Sequence, residues 1–451
     1  MAKIFPLKGV TYNKDKVKKL EKVMAPPYDV ISPSEQDELY NAHDYNIIKL
    51  TLGKDFPGDT PQSNKYVRAG VLFEGLLRHK IMVRAEKPAI YVYEQTFKIK
   101  GKVFKRLGFI ALLRMEEVAR SKVFPHENIF PAPMLDRMEL MRSTSAQLEP
   151  IFGMYLDEKD QVLKSLSKVT SRKPYLRVKD KQGIEHKVWV LDKRPALMKL
   201  VKGMRDKWVF IADGHHRFEA TQRYRDEMRE KTQKYGEEEP FNHVMMYFTN
   251  IKRKGLTVLP IHRLIKVDNR DFDPYLFTVQ VQEYFEVTPF EFGRRNEEQM
   301  KKKLMKEMEK CGKENKACFG MFLGGNLFYL LKLKDYRMID RLLDENKPKT
   351  WRRLDVTVLH TLIIEKILGL SKGTDDAAKR ISYTHDEDEA ISQVKDGKVQ
   401  IALLLNATRV EDVVAIASKY EKMPQKSTFF YPKLLSGLVL NKIDLAEKIE
   451  L

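Results

Sequence analysis

Short apolar runs bounded by turn-forming residues recur along the chain and predict strands that alternate with helices. The clearest runs lie at 89–97, 104–113, 150–155, 208–212 and 399–405. Helical segments are interleaved with these runs instead of being grouped at one end of the sequence. This order predicts a mixed α/β (or α+β) fold.

The helices are predicted from their capping residues and their composition. Ser32 or Ser34 can cap a helix that runs to about Asn41, because a proline and acidic residues occupy its first turn. Further helices are expected around 137–148 and 218–234. No internal repeat or long Gly/Ser linker marks a domain boundary.

The length of 451 residues exceeds the roughly 250–300 residues that one hydrophobic core normally holds. We predict three regions: an N-terminal α/β domain at 1–107, a catalytic core at 108–250 and a C-terminal α/β domain at 251–451. Hydrophobic residues make up 43% of the chain and charged residues 32%, which favours packed domains over extensive disorder.

The formal charge is +19, from 82 basic and 63 acidic residues. Such an excess suits anionic partners, but the lysines are spread along the whole chain and are typical of a solvated surface. We therefore expect small-molecule substrates and no nucleic acid. Oligomeric state cannot be predicted from these features.

Compartment is predicted from cysteine usage and hydropathy. Cys311 and Cys318 lack zinc-knuckle spacing and are too few for a disulfide framework, so a reducing cytoplasm is expected. No stretch approaches the ~18 apolar residues of a membrane-spanning helix, and no signal peptide is recognised. We predict a cytoplasmic protein with no membrane partner.

The apolar run at 208–212 leads directly into the string Asp-Gly-His-His-Arg at 213–217. Strand, tight turn and helix are predicted, with Gly214 supplying the turn conformation. A helix that begins there directs unpaired N–H groups and its positive dipole end at one point, where phosphate oxygens bind well. Gly214, His216 and Arg217 are therefore predicted to bind phosphate, since a guanidinium fork and imidazole N–H groups match phosphate oxygens.

The same string carries candidates for the chemical step. Asp213 is predicted to be catalytic and to hold Mg²⁺, because a carboxylate is a preferred ligand of that ion. His215 is predicted to be catalytic because an imidazole can move a proton near neutral pH. The alternative is a capped turn with two structural histidines, but consecutive polar residues directly after an apolar strand are costly to bury.

The string at 213–217 resembles the signature of the ParB/sulfiredoxin-like superfamily. Within it, the free-serine kinases combine this string with an upstream His-Glu, which this chain has at His126 and Glu127. The wider chain resembles a broad family of proteins of unknown function, whose genes often lie beside serine-biosynthesis genes. The shared stretches lie at 25–32, 43–46, 259–263 and 423–433.

This resemblance implies a ParB/sulfiredoxin-like catalytic core and the phosphorylation of free L-serine to O-phosphoserine. It implies that Glu127 accepts the proton of the serine hydroxyl, a step that a positioned carboxylate can assist. Inorganic pyrophosphate is the donor that the resemblance favours, with a nucleotide as the other possibility. The sequence has no GxxxxGK[ST] loop, no GxGxxG after a strand and no protein-kinase catalytic loop.

Two further segments are candidates for ligand contacts. Arg142 and Ser143, near the end of a predicted helix, can hold the substrate carboxylate or a phosphate. A C-terminal set of two lysines and two hydroxyls flanks an aromatic strand and is predicted to bind the second phosphate of the donor. Its members are Lys426, Ser427, Thr428 and Lys433.

Two other functions remain open from the sequence. A metal-dependent phosphohydrolase or nuclease could arrange Glu127, His215 and His216 around a divalent ion. A ParB-like nucleic-acid-binding protein could use the basic charge, although neither a helix-turn-helix nor a basic stripe can be recognised. Kinase and hydrolase differ in one respect: only the kinase needs serine before phosphate leaves the donor.

Overall fold

The computed structural model describes residues 2–117, 121–267, 272–371 and 374–451. The chain divides into two compact units. Unit 1 comprises residues 1–257 and 430–451, so the C-terminal segment returns to the N-terminal unit, and unit 2 comprises residues 258–429.

Most of the strands are short, and they occur from the N-terminal to the C-terminal part of the sequence. They are β1 (Ile4–Phe5), β2 (Val10–Tyr12), β3 (Met82–Arg84), β4 (Ile90–Ile99), β5 (Lys102–Arg114), β6 (Val123–Phe124), β7 (Ala146–Gln147), β8 (Ile151–Tyr155), β9 (Leu176–Lys179), β10 (Glu185–Leu191), β11 (Val209–Asp213), β12 (His243–Asn250), β13 (Thr257–Leu259), β14 (His262–Ile265), β15 (Phe285–Glu291), β16 (Cys318–Phe322), β17 (Leu327–Leu333), β18 (Ile381–Thr384), β19 (Ile401–Leu404), β20 (Phe429–Tyr431) and β21 (Asn441–Lys442).

The α-helices lie between these strands. They are α1 (Pro33–Ala42), α2 (Ile48–Thr51), α3 (Lys65–Arg78), α4 (Pro131–Thr144), α5 (Gln161–Lys164), α6 (Ser167–Thr170), α7 (Arg194–Met204), α8 (His215–Thr232), α9 (Pro274–Tyr284), α10 (Glu297–Lys313), α11 (Tyr336–Leu342), α12 (Lys349–Arg352), α13 (Asp355–Leu359), α14 (Asp375–Arg380), α15 (Glu387–Lys395) and α16 (Val410–Ala417). Short 3₁₀ turns occur at Leu20–Lys22, Tyr28–Val30 and Pro240–Asn242, and a π-helix at His360–Ile367 follows α13.

Unit 1 is built on a large mixed sheet with the strand order β6-β11-β8-β12-β5-β4-β10-β9, to which β1 adds by pairing with β5. Alternate residues of β5 and β12 point to one face and form a core with α7, because side chains alternate across a strand. On that face Phe109 and Phe248 stack with their ring centroids 5.2 Å apart.

Strand direction at one edge of this sheet brings the predicted motifs together. β6 and β11 are parallel neighbours, so both end at the same edge. β8 pairs antiparallel with β11, so the residues that precede β8 lie at that edge too. The register of β11 against β8 shifts between Ile211 and Asp213, and such a bulge changes the direction of the side chain that follows.

Unit 2 contains a six-stranded sheet with the order β15-β17-β16-β19-β14-β18. One face packs against α9 and the π-helix around a core that includes Phe319 and Leu403. The other face packs against α10 and α15 around a core that includes Phe322 and Leu404. Neighbouring residues of β19 thus serve different cores, as the period of a strand requires.

The prediction of a mixed α/β fold is confirmed. The strands predicted at 89–97 and 104–113 correspond to β4 and β5, and Ser32 caps α1 through the backbone N–H of Glu35. The helix predicted around 137–148 instead ends at Thr144, because Ser145 adopts a left-handed conformation and the next two residues pair with β21.

The two units differ from the predicted three regions, because the first two regions lie in one unit and residues 430–451 of the third belong to that unit as well. The predicted division at 107/108 falls inside β5, whose partners β4 and β12 belong to the two regions that were expected to be separate. Across the described residues, none of the helices combines the length and the apolar composition needed to cross a membrane.

Candidate functional site

The two predicted motifs lie side by side at the edge of the unit 1 sheet. β6 ends at Phe124 and is followed by Pro125, His126 and Glu127, while β11 ends at Asp213. Since β6 and β11 are parallel neighbours, the segments that follow them leave the sheet together. Ligand sites commonly form at the carboxyl ends of neighbouring strands.

The turn between β11 and α8 depends on Gly214. Its φ of +89° lies in the left-handed region, and it is the N-cap residue of α8. A Cβ at this position would lie 3.0 Å from Nη2 of Arg217. The N-cap residue Gly214 makes no side-chain hydrogen bond to the first turn of α8. The N–H groups of a helix N-terminus point away from the helix, so an anion at the sheet edge could accept hydrogen bonds from them.

Asp213 holds two cations. Its Oδ2 accepts a hydrogen bond of 2.8 Å from Nη2 of Arg217, and its Oδ1 pairs with Nζ of Lys433. Burial alone would raise the pKa of Asp213, but Lys433 and Arg217 outweigh it and lower the pKa to about 2. Asp213 therefore stays ionised at neutral pH and fixes both cations at the edge of the sheet.

Lys433 was predicted as part of an anion-binding set, and buried polar groups position it. Nε2 of Gln95 donates to its backbone carbonyl at 2.8 Å. Arg106, which is buried, donates to the carbonyl of Tyr431 at 3.2 Å and also to that of Pro432. The segment that carries Lys433 is thus attached to β4 and β5.

His215 connects the two motifs. Its Nε2 accepts a hydrogen bond of 3.3 Å from the backbone N–H of His126, so a neutral His215 ring must carry its proton on Nδ1. That Nδ1 lies 3.4 Å from Oε2 of Glu127. His215 therefore presents an N–H to the Glu127 carboxylate and orients it. Burial, with His215 nearby, lowers the pKa of His126 to about 3, so His126 is neutral at physiological pH.

His216 attaches the same loop at its far end. Its Nε2 accepts a hydrogen bond of 3.0 Å from the backbone N–H of Phe130, and the two rings stack with centroids 6.2 Å apart. The two histidines of the pentapeptide thus hold the loop at 126–130 against the first turn of α8. The two motifs are therefore joined by hydrogen bonds in one site.

Two acidic residues of the cluster were not predicted from the sequence. Glu149 is buried, and its Oε2 lies 3.9 Å from Nη1 of Arg217. Asp29, in the 3₁₀ turn Tyr28–Val30, interacts electrostatically with Asp213, Lys433 and Arg217. Although solvent reaches the side chain of Asp29, the surrounding protein and the Asp213 charge raise its pKa.

Arg217 lies at the centre of these charges. Its Nη1 donates a hydrogen bond of 2.8 Å to the carbonyl of Pro150. Burial alone would lower the pKa of Arg217, but the charges of Glu149 and Asp213 outweigh burial and raise the pKa.

The sequence carried little signal for the two additional acidic residues. Asp29 lies in the motif at 25–32, which carried a family resemblance but no predicted chemistry. Glu149, two residues before the start of β8, had no comparable signal in the sequence.

Arg142 and Ser143, predicted to bind substrate, do not join this cluster. Arg142 donates from Nη2 to Oε2 of Glu227 at 2.6 Å and also pairs with Glu139. Ser143 is exposed on the last turn of α4. The structure thus gives Arg142 a helix-to-helix ion pair, and substrate binding by these two residues stays a prediction.

Lys426, Ser427 and Thr428 belong to unit 2. Lys426 has a φ of 54°, and its carbonyl accepts a 2.9 Å hydrogen bond from Nη2 of the buried Arg263. The hydroxyl of Ser427 donates to the carbonyl of Pro424, so this loop is internally bonded. Phosphate binding by the three residues stays a prediction.

The fit of Mg²⁺ to Asp213 can be judged from the bonding of its oxygens. Both carboxylate oxygens are engaged by cations, and an ion would have to displace Lys433 or Arg217. Among the described residues, no group of three or more His, Cys, Asp or Glu side chains could hold a metal ion. In this arrangement Asp213 does not fit the predicted role of a metal ligand. The dependence of activity on Mg²⁺ stays a prediction.

The sequence matches a family described as "Protein of unknown function (DUF1015)" over residues 4–357. The chain belongs to this family. The match includes β6, β11 and α8 but ends before Lys433. No curated protein matches the chain significantly.

Several solved structures are similar to this member of the family at low identity. A free serine kinase in complex with AMP has 12% identity and a TM-score of 0.34, covering 72% of this chain and 89% of its own. A conserved hypothetical protein from Pyrococcus furiosus has 11% identity and a TM-score of 0.31, covering 69% and 89%. SbnI with a C-terminal truncation, from Staphylococcus aureus, has 12% identity and a TM-score of 0.31, covering 75% and 88%. Similarity at this level does not establish an activity in this chain.

Proposed function

We propose that the protein is a kinase that transfers a phosphoryl group from inorganic pyrophosphate, or from a nucleotide, to the hydroxyl of free L-serine. The observation that carries the proposal is the pairing of Glu127, oriented by His215, with the uncapped N-terminus of α8 at one edge of the sheet. The pairing combines a proton acceptor with a phosphate cradle. The resemblance of the two motifs to free-serine kinases, and to a ParB-like core, supports the choice of substrate.

In the proposed reaction, the serine hydroxyl oxygen forms a bond to phosphorus while the bridging P–O bond of the donor breaks. Inorganic phosphate leaves when the donor is pyrophosphate, and the hydroxyl proton passes to Glu127. Because this transition state is loose, positioning and charge neutralisation supply most of the catalysis. Glu127 is 33% exposed, so substrate can reach it.

The phosphates would contact the N–H groups of the first α8 turn, His216 and the cations Arg217 and Lys433. Asp213 keeps those two cations in place and is proposed to act through them. Charge-assisted bonds to preorganised donors stabilise a developing negative charge more effectively than water does. No step of this proposal requires a metal ion bound by Asp213.

The substrate ammonium group needs a carboxylate that solvent can reach. Asp29 meets this requirement, since it is exposed and lies within electrostatic reach of Asp213 and Lys433. An arrangement of acidic and basic groups around one point suits a zwitterion such as serine better than a simple anion. Asp29 is therefore proposed to hold the substrate ammonium.

The test is a phosphoserine assay with L-serine and, in turn, pyrophosphate, ATP and ADP, each with and without added Mg²⁺. We expect phosphoserine with pyrophosphate and no phosphate release when serine is omitted. If phosphoserine formed from ATP and not from pyrophosphate, the protein would still be a serine kinase, but the proposed donor would be wrong. If phosphate were released without serine, the protein would be a phosphohydrolase and the kinase proposal would be wrong.

A further inference from the structure

Unit 2 contains a cavity of about 750 Å³ whose lining residues are separate in sequence from the motifs at 126–127 and 213–217. It is lined by the end of α10, by α12 with the start of α13, and by the loop between β19 and α16. Its volume falls within the range of small-molecule sites. The bonding of its charged residues indicates what it can hold.

Most charged side chains that line this cavity already have partners. Arg409 forms two hydrogen bonds of 2.8 Å to the carboxylate of Asp412. Nζ of Lys313 lies 2.7 Å from Oε1 of Glu309. Lys316 and Arg353 pair with Glu314 and Asp340, which lie outside the lining. These ion pairs leave little of the concentrated positive charge that a polyphosphate needs.

Asp355 differs from these residues. It is the first residue of α13, it lines the cavity, and no hydrogen bond or ion pair joins its carboxylate to any of the described residues. Burial, reinforced by the charge of Asp412, raises the pKa of Asp355 to about 7. Asp355 is only partly exposed where it lines the cavity. A partly buried carboxylate without a hydrogen-bond partner is stabilised when a cation binds to it.

Two residues of the adjoining α12 are also without partners in the described part of the chain. Lys349 and Thr350 line the cavity, both are exposed, and neither the ammonium nor the hydroxyl group bonds to a described residue. They lie six and five residues before Asp355 in sequence. The cavity thus offers one carboxylate, one ammonium and one hydroxyl that are available to a ligand.

We propose that this cavity binds a free α-amino acid, with the ligand's ammonium group on Asp355 and its carboxylate on Lys349 and Thr350. Each end of the zwitterion then meets an unpaired group of opposite charge. A divalent cation is a poorer match, because one carboxylate supplies too few of the oxygen ligands that such an ion requires.

The experiment is isothermal titration calorimetry of the full chain with each of the twenty L-amino acids. Propylamine and propionate serve as probes that carry only one of the two charged groups. We expect at least one amino acid to bind, and Asp355→Asn and Lys349→Met each to weaken its binding about tenfold or more, since each loses a charge-assisted contact. Glu345→Gln changes an exposed carboxylate outside the cavity and should leave that binding unaltered.

Other outcomes overturn the proposal. They are the absence of any Asp355-dependent amino-acid binding at millimolar concentration, and equal binding of propylamine and the amino acid.

The stability of the Asp355→Asn variant separates a binding role of Asp355 from a structural one. Without ligand it should keep or raise Tm, because it removes an unpaired charge, whereas a fall in Tm would assign Asp355 to structure. Retention of the binding in Asp29→Asn, which alters the carboxylate proposed to hold the serine ammonium, excludes the proposed active site as its source.

Discussion

Asp213 pairs with two cations of the candidate site, and its ionisation decides which role we propose for it. With its pKa lowered to about 2, it remains ionised at neutral pH and is a poor proton acceptor. Its two oxygens instead fix Arg217 and Lys433, which come from segments 216 residues apart in sequence. We therefore assign to Asp213 the positioning of two cations, while Glu127 is the proposed proton acceptor.

Replacing Glu127 by glutamine should lower turnover about 10²–10⁴-fold, the usual range for a positioned acid–base group. Glutamine preserves the shape of the side chain but cannot take up the proton. Phosphoserine formation at saturating serine and donor measures the effect. Glu219→Gln, on α8, changes a carboxylate that pairs with Arg223 and should leave turnover nearly unchanged. Equal turnover in both variants would remove Glu127 from the chemical step.

Replacing Lys433 by methionine should raise the donor KM more than the serine KM. The variant loses a charge-assisted contact worth about 1.5–3 kcal/mol, or roughly 10- to 100-fold in affinity. Lys442→Met, in the same C-terminal segment, removes a lysine that pairs with Glu74 and is the matched control. Kinetics with each substrate varied in turn provide both constants. A larger change in the serine KM would place Lys433 near the acceptor instead.

At the scale of elements, the site consists of two parallel strands, the turns that follow them and one helix N-terminus. The strand, the turn and the helix around 213–217 could be predicted from the sequence because each is specified by neighbouring residues. The pairing of Lys433 with Asp213 could not, since it depends on the return of the C-terminal segment to unit 1. Arg142 was assigned to substrate for a similar reason: its partner Glu227 lies on another helix.

Gly214→Ala should destabilise unit 1 by about 1–3 kcal/mol, because an L-residue is forced into the left-handed region. Activity should fall further than stability explains, since the added Cβ would displace the guanidinium of Arg217. Chemical denaturation and steady-state kinetics measure the two effects. Gly75→Ala in α3 meets no atom within 4 Å and should be neutral or stabilising. If Gly214→Ala retained full activity, the proposed link between this turn and Arg217 would be wrong.

At the scale of the whole molecule, the two units should respond differently to acid. Burial lowers the pKa of His126 to about 3 and of His243 to about 4 in unit 1, and of His262 to about 4 in unit 2. An unfolded histidine has a pKa near 6.5, so unfolded chains bind these protons first. The stability from each neutral histidine is present above about pH 6.5 and is lost as pH falls toward its folded pKa.

Carboxyl groups with raised pKa act in the opposite direction. Asp355 in unit 2, with its pKa raised to about 7, binds a proton in the folded state that the unfolded state releases above about pH 4. It therefore offsets His262 between about pH 4 and 6.5. In unit 1 the raised pKa of Asp29 can cancel the loss of stability in acid that is caused by at most one of the two histidines. Unit 1 should lose roughly 1–3 kcal/mol per pH unit in this window, and unit 2 should change little.

Tryptophan fluorescence can follow the units separately in urea, because Trp189 and Trp208 lie in unit 1 and Trp351 in unit 2. Trp351→Phe leaves reporters in unit 1 alone, and the double variant Trp189→Phe, Trp208→Phe leaves one in unit 2. Between pH 7 and pH 5 the unfolding free energy of unit 1 should fall clearly more than that of unit 2. Asp355→Asn should then make unit 2 acid-sensitive as well, because His262 is no longer offset. Parallel losses in both units, or no effect of Asp355→Asn, would contradict this account of the buried histidines.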